Sequence, residues 1–458
     1  MACKVYSGIW IGVILVLRRK AYRDLEAWRQ YKTKQALLVD GARQVGKTFL
    51  IREFGSENYE HVVELNLLEN VEARDAISSA KSSAELFLRI SAFAQEPLVP
   101  GKTLIFLDEV QACSNVITMV KFLCDRQEYD YILSGSMLGV EMKNVRSVPV
   151  GYLMAVTMHP LDFEEFTWAA GIGEDIWNEV RRAYAQCGAV DEFVHRRLLQ
   201  LFHEYLICGG MPDVVQAYFA ANDMQRTRAL QGGIAQMYRE DISKYAGDRS
   251  RTIKRIFDLI PSELNDQNKR FVVKDIEGQP RLNRYDNDFL WLADASVALP
   301  VYNVDEPRYP LMMSMNSTKF KLFLADVGLL TYECGLDVVR SMLSDRLDIN
   351  YGAIYENAVA QELAAHGHGL FFFKNRVIGE LDFLIEQEGR VVPLEVKSGK
   401  SYKRHSALNN ALTTPNYGID HAVVLSEGNV EVEGKVRYLP VYMAGLLESG
   451  RRTLSGMV

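Results

Sequence analysis

The chain has 458 residues, 48% of them hydrophobic and 24% charged, with a formal net charge of −7. Its length exceeds what one ordinary core accommodates, so two or three domains are expected, and the acidic balance excludes a polycation, so nucleic-acid binding would rest on local basic patches. Six cysteines (Cys3, Cys113, Cys124, Cys187, Cys208 and Cys334) lie without C-x-x-C spacing, which argues against a disulfide framework or a structural zinc site and fits a reducing cytoplasm.

Residues 5–17 are apolar apart from Ser7 and are followed by Arg18-Arg19-Lys20. The run is shorter than the about 20 residues that span a bilayer, and it lacks the cleavage site of a secretory signal. Residues 1–17 are therefore read as an apolar extension, with no stable membrane insertion. Residues 18–33 read as an amphipathic helix, with Tyr22, Leu25, Trp28 and Tyr31 at three-residue steps. A strand over 36–39 then enters a loop and a helix over 47–54, with Gly55 at the expected C-cap. A second strand is predicted over 61–66 and a helix over 82–94.

The loop Gly41-Ala42-Arg43-Gln44-Val45-Gly46-Lys47-Thr48 has the spacing G-x-x-x-x-G-K-T, that of a phosphate-binding loop. Successive backbone N–H groups at a helix N-terminus direct partial positive charge at phosphates. Gly41 and Gly46 let the chain curl, Lys47 reaches the β- and γ-phosphates, and Thr48 offers its hydroxyl to Mg²⁺. Downstream, Thr103-Leu104-Ile105-Phe106-Leu107-Asp108-Glu109 is an apolar strand ending in two carboxylates. In a Walker B role Asp108 holds Mg²⁺ and Glu109 polarises the attacking water as general base. The next strand, over 129–136, ends in Ser134-Gly135-Ser136, where Ser134 or Ser136 is a candidate γ-phosphate sensor, or the pair is a plain turn. A fifth strand is expected over 150–156, then a helix start at Pro160 and Asp162.

Residues 164–245 read as mostly helical, broken at Gly209-Gly210-Met211-Pro212, a turn signal without chemistry of its own. A helix over 253–264 ends or breaks near Pro261. A strand over 271–273, a helix over 288–298 with Asp288 as N-cap, and a strand over 299–304 then suit a winged-helix-like unit. Arg249, Arg251, Lys254, Arg255, Lys269, Arg270, Lys274, Arg281 and Arg284 cluster here, as a solvated surface or a DNA-binding face. Residues 351–365 form a helix carrying Glu356. Strands follow over 370–373, over 379–385 with Asp382, and over 391–398, the last two joined by a hairpin turn. Glu395 and Lys397 are two apart and share one strand face.

A helical glutamate, an aspartate on one strand and Glu-x-Lys on its hairpin partner resemble the PD-(D/E)XK nuclease superfamily. In such a site Asp382 and Glu395 share Mg²⁺, Glu356 adds to the metal shell, and Lys397 orients or deprotonates a water for attack on a phosphodiester. The alternative is a solvated sheet face with a salt bridge.

With both constellations in view, the chain from residue 18 onward resembles a prokaryotic family of AAA-type ATPases. These join a P-loop domain to a C-terminal domain of uncharacterised function with a nuclease-like fold. The matching stretches are the phosphate loop, Leu107-Asp108-Glu109-Val110-Gln111, Ser134-Gly135-Ser136, Pro160-Leu161-Asp162-Phe163-Glu164-Glu165-Phe166, Gly209-Gly210-Met211-Pro212, Asp326-Val327-Gly328-Leu329-Leu330, Glu380-Leu381-Asp382-Phe383 and Glu395-Val396-Lys397-Ser398. Family members often carry Gly-Arg shortly before the Pro-Leu stretch. Here Gly151-Tyr152 stands in that place, which leaves Arg146 as the substitute candidate for a trans-acting arginine.

The expected fold class is α/β: a P-loop parallel-sheet domain over 18–165, a helical and winged-helix-like middle over 166–310, and a C-terminal α/β nuclease-like domain over 311–458. The resemblance implies ATP binding and hydrolysis and no particular substrate; Mg²⁺ is the metal expected of the motif carboxylates, and DNA and a second copy of the chain are candidate partners. Two functions stand open: an ATPase regulating a nucleic-acid-binding or nuclease-like domain, and a nucleotide-dependent switch with a non-catalytic partner-binding module.

Overall fold

The computed structural model describes residues 16–95, 97–113, 115–141, 151–221, 223–265, 286–343, 351–447 and 449. Arg146, the expected strand over 271–273 and the basic residues Lys269, Arg270, Lys274, Arg281 and Arg284 lie outside these.

Five strands, β1 (Ala36–Asp40), β2 (His61–Asn66), β3 (Thr103–Asp108), β4 (Asp130–Ser134) and β5 (Leu153–Thr157), form one sheet in the order β2-β3-β4-β1-β5. All its pairings are parallel. This order puts β4 between the strand that feeds the phosphate loop and the strand that ends in Asp108. The second sheet is mixed and eight-stranded. It contains β6 (Ala298–Val304), β7 (Met315–Leu324), β8 (Phe371–Asn375), β9 (Gly379–Gln387), β10 (Arg390–Val396), β11 (Ala422–Ser426), β12 (Glu431–Glu433) and β13 (Val436–Pro440), in the order β12-β13-β11-β10-β9-β8-β6-β7.

Strand periodicity of two decides where the apolar side chains of β1 and β3 go, and on β9 an irregularity in the pairing with β8 shifts it, so that Leu381 and Leu384, three apart, share a face. On β1, Leu37 and Val39 join one core while Ala36 and Leu38 join another; on β3, Leu104 and Phe106 separate likewise from Ile105 and Leu107. On β9, Phe383 and Ile385 face that first core, while Leu381 and Leu384 face a third. The first core is thus continuous from the parallel sheet, through the helices between residues 163 and 265, to the mixed sheet. The architecture is a parallel five-stranded sheet, a helical middle and a C-terminal mixed sheet. No helix among the described residues is long and apolar enough to cross a membrane.

Several expectations are corrected. The strand over 299–304, placed in a winged-helix-like middle, is β6; it pairs antiparallel with β7 and parallel with β8. A boundary at 310 therefore falls between two strands of one sheet. Gly55 does not cap the P-loop helix, which runs through it as Lys47–Asn58. A Cβ on Gly55 would lie 3.1 Å from Val62 and 3.2 Å from Leu104, so its smallness serves close packing on the sheet. Pro261 neither ends nor interrupts its helix, which is continuous over Ser250–Asn265 because Ile253, Ile256, Phe257, Ile260 and Leu264 bury one face. Asp288 lies inside the helix Asp286–Asp294, not at its N-cap. It is buried and accepts from Arg249 at 2.9 Å, which removes Arg249 from any free basic face.

The Gly209-Gly210 turn mates with the Asp326-Val327-Gly328 turn. The Asp326 carboxylate accepts from the N–H groups of Gly210 (2.6 Å) and Leu329 (3.0 Å), and Leu161 N–H donates to the Gly210 carbonyl at 2.7 Å. A Cβ on Gly210 would stand 2.1 Å from the Leu161 carbonyl oxygen, and one on Gly328 2.3 Å from that of Cys208. These are backbone-on-backbone contacts that no rotamer relieves. Gly210→Ala should therefore lower stability by about 1–3 kcal/mol, read as a reduced thermal unfolding midpoint. Gly188→Ala, with no atom within 4 Å of the added Cβ, should change it little. Equal midpoints for the two variants would contradict the close fit.

Candidate functional site

The phosphate loop leaves β1 at Gly41, whose φ of 136° brings its Cα against the Met158 carbonyl, where a Cβ would lie 2.2 Å from the oxygen. Gly46, at φ 91°, opens the helix Lys47–Asn58. Gln44 (φ 68°) and Glu109 (φ 56°) also hold left-handed conformations, a strain found where a site over-determines the backbone.

Lys47 is buried, and its Nζ donates to the carbonyls of Gly41 and Ala42, both at 2.8 Å. Burial lowers its pKa to about 8, against the opposing fields of Glu109, Asp108 and Asp40. Thr48 Oγ1 donates to Asp108 Oδ2 at 3.0 Å, Asn66 Nδ2 donates to the same oxygen at 3.3 Å, and Ser134 Oγ donates to Asp108 Oδ1. Burial holds the Asp108 carboxyl above its usual pKa, with these hydroxyls opposing. Glu109 accepts from Ser136 Oγ at 3.0 Å and from the Gln111 side chain. The two sensor candidates thus separate, Ser134 holding Asp108 and Ser136 holding Glu109.

These groups open onto a cleft of about 650 Å³, lined by Arg43, Gln44, Gly46, Lys47, Thr48 and Glu109 from the sheet domain and by Pro212, Asp213 and Met237 from the helical middle. The sequence reading missed the second set. It also missed Arg19, whose guanidinium reaches the Val45 carbonyl (2.8 Å), the His159 carbonyl (2.7 Å) and Glu165 Oε2 (3.1 Å). The available signals were the basic triplet at 18–20 and the Gly-Gly-Met-Pro turn, which does carry a contact: Pro212 opens the helix Pro212–Ala221 at the rim of the cleft.

The second constellation comes together only in part. The hairpin of β9 and β10 places Asp382 where its Oδ2 accepts the Val396 N–H at 2.9 Å, and Lys397 Nζ donates to Glu395 Oε1 at 2.7 Å. Burial, then Asp382, pushes the Glu395 carboxyl up to about 8. Glu356, on the helix Gly352–Ala365, is buried; Lys321 Nζ from β7 lies 3.9 Å from Glu356 and 2.7 Å from Glu380. Lys321 was not anticipated, because only sheet pairing brings β7 here. Glu356, Asp382 and Glu395 do not converge as a tight ligand set. Among the described residues the one trio of acids or histidines with ligand atoms within 4.8 Å of one another is Asp162, Glu362 and His366. There Lys20 Nζ already pairs with Asp162 at 2.6 Å.

Residues 33–167 match a family model described as an AAA domain. Residues 199–339 and 351–443 match two domains of unknown function, DUF8612 and DUF4143. The chain therefore carries an AAA-type P-loop domain followed by two uncharacterised domains. Among solved structures it is similar to a Walker-type ATPase of Pyrococcus abyssi (14% identity, 70% of this chain and 96% of that one, TM-score 0.43). It is also similar to the Aeropyrum pernix ORC1 protein in complex with DNA (12% identity, 73% of this chain and 94% of that one, TM-score 0.29). No curated protein matches the chain.

The buried lysine sets a pH dependence. In the free protein Lys47 loses its proton near pH 8, whereas bound phosphates favour the ammonium, so nucleotide binding takes up a proton above that pH. Affinity should be flat below pH 8 and fall by up to roughly tenfold per pH unit above it. Calorimetric titration in two buffers of different ionisation heat reads both the affinity and the proton uptake. Affinity that rises between pH 8 and 9 would refute the assignment.

Proposed function

We propose that the chain is an Mg²⁺-dependent ATPase whose nucleotide state regulates a nucleic-acid-binding or nuclease-like C-terminal domain. The observation that carries the first half is the bonded set around Lys47: Thr48 and Ser134 on Asp108, and Ser136 on Glu109. Thr48 and Asp108, a hydroxyl and a carboxylate 3.0 Å apart beside the loop, fit a hard divalent cation. Mg²⁺ when bound neutralises phosphate charge. Lys47 and the loop N–H groups bind and orient the β- and γ-phosphates. Glu109, held by Ser136 and Gln111, accepts the proton of the attacking water. ATP is the expected nucleotide, with DNA and a second copy of the chain as the expected partners.

For the second half, Glu395 Oε2 is buried without a hydrogen-bond partner, and such an oxygen suits a cation. Asp382 and Glu356 supply further carboxylates, and Lys397 would activate water. One observation favours the switch reading instead: two carboxylates of this site already face ammonium groups, Glu395 that of Lys397 at 2.7 Å and Glu356 that of Lys321 at 3.9 Å.

The deciding assay follows ATP turnover by wild type, Lys47→Ala and Glu109→Gln, with and without DNA, with the same samples run on a gel. Lys47→Ala should lose binding and turnover. Glu109→Gln should bind ATP and lose about 10²- to 10⁴-fold in turnover. Undiminished turnover in Glu109→Gln would refute the base assignment. Mg²⁺-dependent nicking lost in Lys397→Ala supports the nuclease; intact DNA beside an active ATPase leaves the switch.

A further inference from the structure

Arg43 is a charged residue of the phosphate loop whose side chain the reading above gives no task of its own. It sits in the middle of the phosphate loop, between Ala42, whose carbonyl holds Lys47, and the left-handed Gln44. Its guanidinium lines the same cleft as Lys47 and Glu109. Nε donates to Ser136 Oγ at 3.3 Å, and that hydroxyl donates to Glu109 Oε2 at 3.0 Å. The cation is therefore one hydroxyl away from the base. Its field also helps to lower the pKa of Lys47, behind the effect of burial.

The other partner comes from the helical middle. Arg43 Nη1 donates to Asp241 Oδ1 at 2.7 Å, and Tyr238 OH donates to the Arg43 carbonyl at 3.2 Å. Both belong to the helix Met224–Tyr245, which thus holds the loop residue by side chain and by backbone. Two other arginines line the cleft. Arg19 is held by two carbonyls and Glu165, and Arg52 is held by Glu64 at 2.6 and 2.7 Å. Arg43 is the one of the three set beside the base.

A triphosphate held by Lys47 brings its terminal phosphate between Lys47 and Glu109, where it competes with Asp241 for the guanidinium. Arginine's planar fork suits such an exchange between carboxylate and phosphate. We propose that Arg43 is a catalytic cation acting in cis, which leaves Asp241 for the terminal phosphate when ATP binds, so that the helix Met224–Tyr245 reports the nucleotide state. This rests on the ATPase reading. In the step, water adds to the terminal phosphorus as the bond from that phosphorus to the bridging oxygen of ADP breaks. Glu109 takes the proton, Arg43 balances the charge on the terminal oxygens, and ADP and inorganic phosphate leave.

The test compares ATP affinity and turnover in wild type, Arg43→Ala, Arg43→Lys, Asp241→Asn and the double variant. Arg43→Ala should lose about 10³- to 10⁵-fold in turnover with a far smaller change in ATP affinity, and Arg43→Lys should recover part of the turnover. Asp241→Asn should bind ATP several-fold more tightly, and this gain should vanish in the Arg43→Ala background. Wild type that binds ATP without turning it over removes the ATPase reading, and this inference with it. An active wild type with Arg43→Ala within threefold of it overturns the inference alone. So does an Asp241→Asn gain that persists without Arg43. Mixing Arg43→Ala with Lys47→Ala should restore nothing, and restored turnover would place the cation in trans.

Discussion

The fold turns on a buried hydrogen bond between groups 199 residues apart: the Phe163 N–H donates to Glu362 Oε1 at 2.7 Å. Both lie in the continuous core, where a polar group left without a partner costs about 1–3 kcal/mol. The bond therefore fixes the start of the helix Phe163–Ala169 against the end of the helix Gly352–Ala365. Charges around it are sorted by environment. Burial, then Asp162, pushes the Glu362 carboxyl up to about 8. Asp162 is held below its usual value although burial opposes this, because Lys20 and His366 face it. The two carboxyls are thus shifted in opposite directions, which lets both sit in the same enclosed seam.

From this seam a chain of contacts runs back to the phosphate loop. Asp162 caps its helix in a capping box with Glu165, and Glu165 accepts from Arg19, which in turn holds the Val45 carbonyl. Forward from the seam, Glu356 stands six residues before Glu362 on the same helix, about 9 Å along its axis. A second tie runs beside the first: Gln361 accepts the Val327 N–H, and Asp326 next to it holds Gly210, two residues before Pro212 at the cleft. The two acidic sites are thus joined by rigid elements and short bonds, with no flexible linker between them among the described residues.

The phosphate loop, Asp108, Glu109 and the β9–β10 hairpin were legible in the sequence because each is a local pattern: glycine spacing, an apolar run ending in acid, alternation about a turn. The place of β6 was not, because pairing with β7 and β8 leaves no mark on local periodicity. Gly55 and Pro261 misled for a related reason. Propensity marks both as helix ends, and burial against Val62 and Leu104 in one case, and of the Ile253–Leu264 face in the other, outweighs it. The Gly-Gly-Met-Pro and Asp-Val-Gly stretches were visible as motifs yet mute as to purpose, since each has meaning only against the other.

The two sites hold their charges in different ways. At the cleft Lys47 and Arg43 stand beside Asp108, Glu109 and Asp241, and the nearest groups are held by hydroxyls and carbonyls that an anion can displace. At the second site Glu380, Glu395 and Asp382 share the space with Lys321, Lys374 and Lys397. Lys321 is wholly buried, while the Lys397 side chain is 30% exposed. An enclosed ammonium cannot swing out to water, but a partly exposed one can, because its long stem reaches solvent. A divalent cation would therefore displace one of the partly exposed ammonium groups, Lys397 on Glu395 or Lys374 on Glu380, and not Lys321. On the Glu395 side the group proposed to activate water is thus also the one that gives way to the cation, which the rotatable stem of Lys397 allows without moving the strand that carries it.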